Sequence, residues 1–134
     1  MTPVFADTFY YLALMNPADM AHARAVEFGD TLIEPVVTTT WVLTEVADAL
    51  RAPNQRKGFR RLMDLIEGDP TTLVVPPTQE LFERGVDFYD RRPDKEWSLT
   101  DCISFVVMTE QGITDALTGD HHFEQAGFIA LLKS

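Results

Sequence analysis

Four carboxylates stand in this sequence where a polar turn meets an apolar stretch. Asp7 ends the run Pro3-Val4-Phe5-Ala6, Glu45 closes Thr38-Thr39-Thr40-Trp41-Val42-Leu43-Thr44-Glu45, Asp101 follows Trp97-Ser98-Leu99-Thr100, and Asp120 lies in Leu117-Thr118-Gly119-Asp120-His121-His122-Phe123. Such junctions let a side chain face a cleft while its backbone stays rigid. Gathering like charges raises their pKa values unless a cation compensates. Hard oxygen ligands, without His or Cys at ligand spacing, suit Mg²⁺ or Mn²⁺ rather than zinc. The adjacent His121 and His122 lack that spacing and are expected at the surface.

Taken one at a time, the acids have simpler explanations. Ser98 with Asp101 three residues on is a capping-box pattern, and a carboxylate in a first helical turn suits the macrodipole. Asp7 would cap the helix that follows it, Asp120 would start a turn, and Glu45 would face solvent. Four acids placed independently for capping have no reason to meet at one edge of one sheet, which favours the joint reading as a metal site. Thr8, Ser98 and Thr118 stand beside three of them as candidates to fix carboxylates by hydrogen bonds, as groups outside a metal's ligands usually do. Gly119, directly before Asp120, is expected to loosen the turn that carries it.

The elements that must position these acids alternate. Val4–Ala6 reads as a buried strand, residues 8–14 as a helix halted near Asn16-Pro17, and residues 19–28 as an amphipathic helix with Met20 in its apolar stripe, stopped at Gly29. Residues 35–39 make a second strand and a helix follows to Leu50. Residues 55–67 form a helix with a basic first half, 72–75 a third strand, and 78–89 a helix. Residues 100–111 form the most apolar helix, 115–118 a fourth strand and 128–132 a fifth. This alternation predicts one α/β domain over residues 1–134, a three-layer α/β/α arrangement on a mostly parallel sheet of about five strands. Ligands of such sheets collect outside the carboxyl ends of the strands.

The chain has 134 residues and a net charge of −10, which disfavours indiscriminate attraction to polyphosphate or anionic lipid. Contact with nucleic acid must then be local or metal-assisted. The densest basic group is Arg51, Arg56, Lys57, Arg60 and Arg61; Arg91, Arg92 and Lys95 beside Trp97 form a second. Either would make phosphate binding salt-sensitive. Trp97 is available to stack on an unpaired base, although core packing is a tryptophan's commoner fate. The single Cys102, in an apolar run, excludes an internal disulfide framework and fits a reducing cytoplasm. No run is long and uncharged enough to span a bilayer.

Phe5-Ala6-Asp7-Thr8, then Thr44-Glu45, then Ser98-Leu99-Thr100-Asp101-Cys102, then Asp120-His121-His122-Phe123 with Ala126-Gly127-Phe128, resembles the PIN-domain nucleases, most closely the VapC-type toxins of toxin–antitoxin pairs. The similarity covers essentially the whole chain. It implies metal-dependent hydrolysis of RNA, tRNA or another structured RNA, with Asp7, Glu45, Asp101 and Asp120 as the catalytic, Mg²⁺-binding acids. It further implies a homodimer and a cognate antitoxin. The alternative is a catalytically silent RNA- or protein-binding module of the same fold, for which retention of all four acids would be needless.

Overall fold

The computed structural model describes residues 1–133. In chain order its elements are β1 (Val4–Ala6), α1 (Thr8–Met15), α2 (His22–Thr31), β2 (Val36–Thr39), α3 (Thr40–Ala49), α4 (Arg56–Glu67), β3 (Thr72–Val75), α5 (Gln79–Arg91), α6 (Leu99–Gln111), β4 (Asp115–Leu117), α7 (His121–Gln125) and β5 (Ile129–Ala130). All strand pairs are parallel, and the sheet order is β3-β2-β1-β4-β5. The chain therefore winds outward from β1 through β2 to β3, then returns to the other side of β1. Right-handed crossovers place the outward helices and the returning helices on opposite faces. Strand order reverses between β1 and β4, and a crevice at that reversal is where such sheets hold ligands.

The sequence expectation of an α/β domain with about five strands is met, with the sheet wholly rather than mostly parallel. Boundaries differ where local packing overrides the pattern. The helix expected over residues 19–28 starts later, because Asp19 accepts a hydrogen bond from the Ala21 backbone and makes a turn instead. Met20 is left fully exposed rather than in an apolar stripe. Gly29 does not end the helix: a Cβ there would lie 3.1 Å from the Tyr10 hydroxyl, so glycine is a notch that admits α1. The fifth strand is only two residues long, and the turn expected to start at Asp120 is the cap of a short helix.

Aromatic packing on the returning side of the sheet fixes the elements that carry Asp101 and Asp120. Phe105, one turn after Asp101, meets Phe123, three residues after Asp120, edge to face at 4.9 Å. Trp97 and Phe128 pack on the same ring at 5.1 and 5.6 Å. Such pairs contribute about 0.5–1.5 kcal/mol beyond burial. Trp97 is buried and donates its indole N–H to Gln125, so it is a core anchor and not a platform for a base. Cys102 is buried and its thiol is pushed up to about 11, chiefly by burial.

Two glycines are set by close approach. A Cβ on Gly119 would lie 2.5 Å from the Phe9 ring, so this residue seats α1 against the β4 loop instead of loosening it. Gly85 of α5 lies against Ile103 of α6. Alanine is ordinarily favoured over glycine inside a helix by roughly 1 kcal/mol, yet forcing a methyl into this contact costs about 1–3 kcal/mol. Gly85→Ala should therefore lower stability in urea unfolding; a rise in the midpoint would show that α5 and α6 can separate.

Candidate functional site

Each acid reaches the β1–β4 crevice from its own element. β1 delivers Asp7 at the first position beyond the sheet, where its backbone takes the N-cap conformation but its carboxylate makes no capping bond. Freed from that role, Asp7 Oδ2 accepts a hydrogen bond from Thr118 Oγ1 at 2.9 Å. The same buried hydroxyl accepts from the Asp120 backbone N–H at 3.1 Å. One threonine thus ties the ends of β1 and β4 together at the side-chain level.

Asp101 is the third residue of α6 and forms the capping box with Ser98: its N–H donates to Ser98 Oγ, and Asp101 Oδ2 accepts from the Ser98 N–H. Ser98 therefore holds this carboxylate through its backbone, while its hydroxyl serves the helix. Asp120 caps α7, its Oδ1 accepting the His122 N–H at 2.9 Å. Glu45 lies half-buried in α3, which packs against α6, and has no hydrogen-bond or ion-pair partner among the described residues. The Thr8 hydroxyl is buried and has no partner among the described residues, so the hydrogen bond expected from it to a carboxylate is not made there.

The electrostatics couple all four acids. Burial first, then the charge of Asp101 and more weakly that of Glu45, push the Asp7 carboxyl up to about 7 against the bond from Thr118. Burial also raises Asp101, followed by repulsion from Asp120, with Glu45 adding to it and the Ser98 N–H and His122 opposing. Asp7 is 4% exposed and Asp101 7%. Among the described residues no Lys or Arg pairs with any of them. Two desolvated carboxylates with two more beside them and no Lys or Arg partner make a donor set that fits a hard divalent cation.

His122, which the sequence reading assigned to the surface, is half-buried in the crevice. Its Nδ1 lies 3.3 Å from Asp101 Oδ2 and 3.4 Å from Asp120 Oδ1. The turn made by the Asp120 cap aims it inward, and Phe123 beside it, buried in the core, holds the segment there. A capping aspartate two residues before a histidine, followed by a core aromatic, was the available signal.

The basic group lies elsewhere. Gly58 of α4 packs on Met15, the last residue of α1, and seven residues of helix separate Met15 from Thr8 beside the acids, about 10 Å at 1.5 Å per residue. Arg60 is ion-paired with Asp64 and Glu67. Arg51 and Arg56 donate to backbone carbonyls of Asp48 and Arg51, while Lys57 and Arg61 make no ion pair among the described residues. Arg92 pairs with Asp94 and lies 4.9 Å over the buried Trp97 ring.

Stability should report the crowding at Asp7. An aspartate in the unfolded chain titrates near 3.8 and the folded one near 7, so the folded state binds the extra proton. The stability this contributes is fully present below about pH 4 and is lost as pH rises through about 7. Without divalent cations the melting temperature should fall from pH 5 to pH 8, and Asp7→Asn should shrink the fall to the share of Asp101, whose carboxyl burial also raises. At pH 8 the variant should be more stable by on the order of a few kcal/mol, with no gain near pH 4. Equal pH slopes for the two proteins would refute the buried charge.

No family model matches the chain. Among proteins of known activity, VapC20 of Mycobacterium tuberculosis, named a 23S rRNA-specific endonuclease, is 31% identical over 128 residues, spanning 94% of this chain and 95% of that protein. The crystal structure of VapC20, described there as a Sarcin-Ricin loop cleaving toxin, superposes with a TM-score of 0.85 and 27% identity, covering 94% of this chain and 96% of that one. FitAcB from Neisseria gonorrhoeae shares the fold, with a TM-score of 0.64 at 18% identity over 95% and 94% of the two chains. With the parallel β3-β2-β1-β4-β5 sheet and full-length similarity to VapC20, the chain belongs to the VapC-type toxins of the PIN-domain ribonuclease family.

Proposed function

We propose that this chain is a Mg²⁺-dependent endoribonuclease whose catalytic and metal-binding residues are Asp7, Glu45, Asp101 and Asp120. The observation that carries the reading is the convergence of four carboxylates that repel one another, two of them buried, with no Lys or Arg paired to them among the described residues. VapC-type nucleases are metal-dependent in general, and this all-oxygen set favours Mg²⁺, with Mn²⁺ as a substitute. Asp7 and Asp101, the most buried, serve as principal ligands. Asp120 and the unpartnered Glu45, both more accessible, hold a second ion or orient the attacking water.

When bound, the metal lowers the pKa of a water and neutralises charge on the phosphate oxygens. The chain's own share is positioning. Thr118 fixes Asp7, the Ser98 N–H fixes Asp101, and the His122 N–H fixes Asp120. Thr8 lines the same corner with a hydroxyl free to bond a water. Arg51, Arg56, Lys57, Arg60 and Arg61 would track the RNA backbone away from the scissile bond, with Lys57 and Arg61 foremost because their charges make no ion pair among the described residues.

The likeness to VapC20 supports a loop of large-subunit ribosomal RNA as substrate over tRNA. A homodimer, a cognate antitoxin across the acidic crevice and action in the cytoplasm complete the reading. No helix among the described residues is long and apolar enough to cross a membrane.

The test is to incubate the protein with ribosomal RNA, a hairpin fragment of it and a tRNA pool, in Mg²⁺, Mn²⁺ or EDTA, and map new ends. Discrete cuts in the ribosomal loop should appear with either metal and vanish with EDTA. Metal stabilisation of several kcal/mol means that Asp7→Asn or Asp101→Asn should lower the rate by roughly a hundredfold or more, with circular dichroism unchanged. Cleavage that survives EDTA and both substitutions would sink the assignment.

On the binding side, replacing Lys57 and Arg61 together by alanine should weaken RNA affinity and reduce the slope of log affinity against log salt by roughly two. Arg60→Ala alone should matter less, since Asp64 and Glu67 already engage that charge. Fluorescence anisotropy across a salt series reads both effects, and an unchanged slope would remove α4 from the RNA surface.

A further inference from the structure

Trp41 has no part in the hydrolysis proposed above, yet the fold sets it at the rim of the crevice. β2 runs into α3 without a loop. The parallel register puts Phe5 beside Val37, so Asp7 is level with Thr39 on the adjacent strand, about 4.8 Å away. Thr39 is buried and caps α3 by accepting the Val42 N–H at 3.1 Å. Trp41 is thereby fixed just past the sheet edge. Glu45 follows one turn along the same helix face, with about 5–6 Å between the two Cβ atoms.

The indole has the makings of a platform. It is half-buried and nearly parallel to the half-buried ring of Phe82 in α5, with centroids 6.3 Å apart and planes 20° apart. At that separation the two rings are offset, so Phe82 steadies the indole without covering it. The chain's other tryptophan offers nothing comparable. Trp97 is 4% exposed, packs on Phe88 and Phe105 and donates its N–H to Gln125. Unpaired bases of RNA loops are held by stacking on aromatic side chains, whatever the base, because every base has a π face. A phosphate seated among the four acids brings the base of its own or a neighbouring nucleotide within reach of a ring one helical turn from Glu45.

We propose that Trp41, steadied by Phe82, is the stacking platform for one unpaired base of the RNA beside the scissile phosphate. The proposal rests on the ribonuclease reading and adds a requirement to it. The substrate must present an unstacked base, which a loop does and a duplex does not. Contacts from α4 to phosphates position any RNA, so Trp41 is the residue that selects looped over paired substrate.

The full-length protein carrying Asp101→Asn, so that bound RNA is not consumed, is titrated in Mg²⁺ with hairpins of the ribosomal loop. One hairpin is intact and each of the others lacks the base at one loop position. Tryptophan emission and the anisotropy of a labelled RNA are read together. Stacking should quench the emission, and Trp41→Phe should abolish the quench while keeping most of the affinity, since phenylalanine retains a π face. Trp41→Ala should weaken binding of the intact hairpin by roughly 5–150-fold, with the salt slope unchanged because no phosphate contact is lost. At one abasic position the protein with Trp41 should lose affinity and the alanine variant should lose no more. Thermal melts check both variants; should the alanine variant unfold, the quench and its loss in Trp41→Phe decide. RNA that binds without quenching, or a folded alanine variant with full affinity for the intact hairpin, would overturn the platform and leave Trp41 and Phe82 as packing between α3 and α5. Absence of RNA binding would overturn the ribonuclease reading as well. Failure of the protein with Asp101 to cut RNA, with the quench intact, would count against hydrolysis alone.

Discussion

Confinement of like charge governs this molecule. Asp7 and Asp101 are almost sealed from water, Glu45 and Asp120 act on them from the rim, and no Lys or Arg of the described residues pairs with any of the four. A protein of net charge −10 could have spread these acids over its surface. Concentrating them opposes folding, and the opposition is tolerated because the surrounding core leaves the chain no other arrangement. The site is consequently poised for a cation before one arrives.

The restraints against that repulsion are few and specific. Thr118 reaches from the end of β4 to Asp7 while receiving the Asp120 N–H. The Phe105–Phe123 contact joins the helix of Asp101 to the helix capped by Asp120. Gly119 admits Phe9, so α1 seats against the same loop. Because Asp101 and Asp120 cap helix starts and Asp7 accepts from Thr118, their local geometry is set by hydrogen bonds and not by attraction between the charged groups. Asp101 illustrates the point: capping and site membership, alternatives when the sequence is read alone, coexist in one carboxylate.

Much of this was legible in the chain of letters, and what escaped has physical reasons. Alternating apolar periods give the α/β order, because buried parallel strands and amphipathic helices leave distinct patterns. Asp7 and Asp120 can be located from strand ends alone. Glycine roles were not readable at Gly29 or Gly119, since both depend on a side chain brought close only by tertiary packing. Met20 carried an apolar letter in a helical pattern, but Asp19 spent that stretch on a turn. The inward aim of His122 escaped for a similar reason: it follows from a cap at Asp120 and an anchor at Phe123, neither of which a ligand-spacing rule considers.

The bond between Thr118 and Asp7 spans 111 positions of sequence, and it joins the first strand to the fourth. During synthesis on a ribosome, β1, β2 and β3 emerge long before β4, which pairs with β1. A nascent chain displays Asp7 without Thr118, without Asp120 and without the helix that brings Asp101. The acidic crevice is therefore completed only after β4 has emerged and paired with β1, when the three earlier strands have long been free to fold.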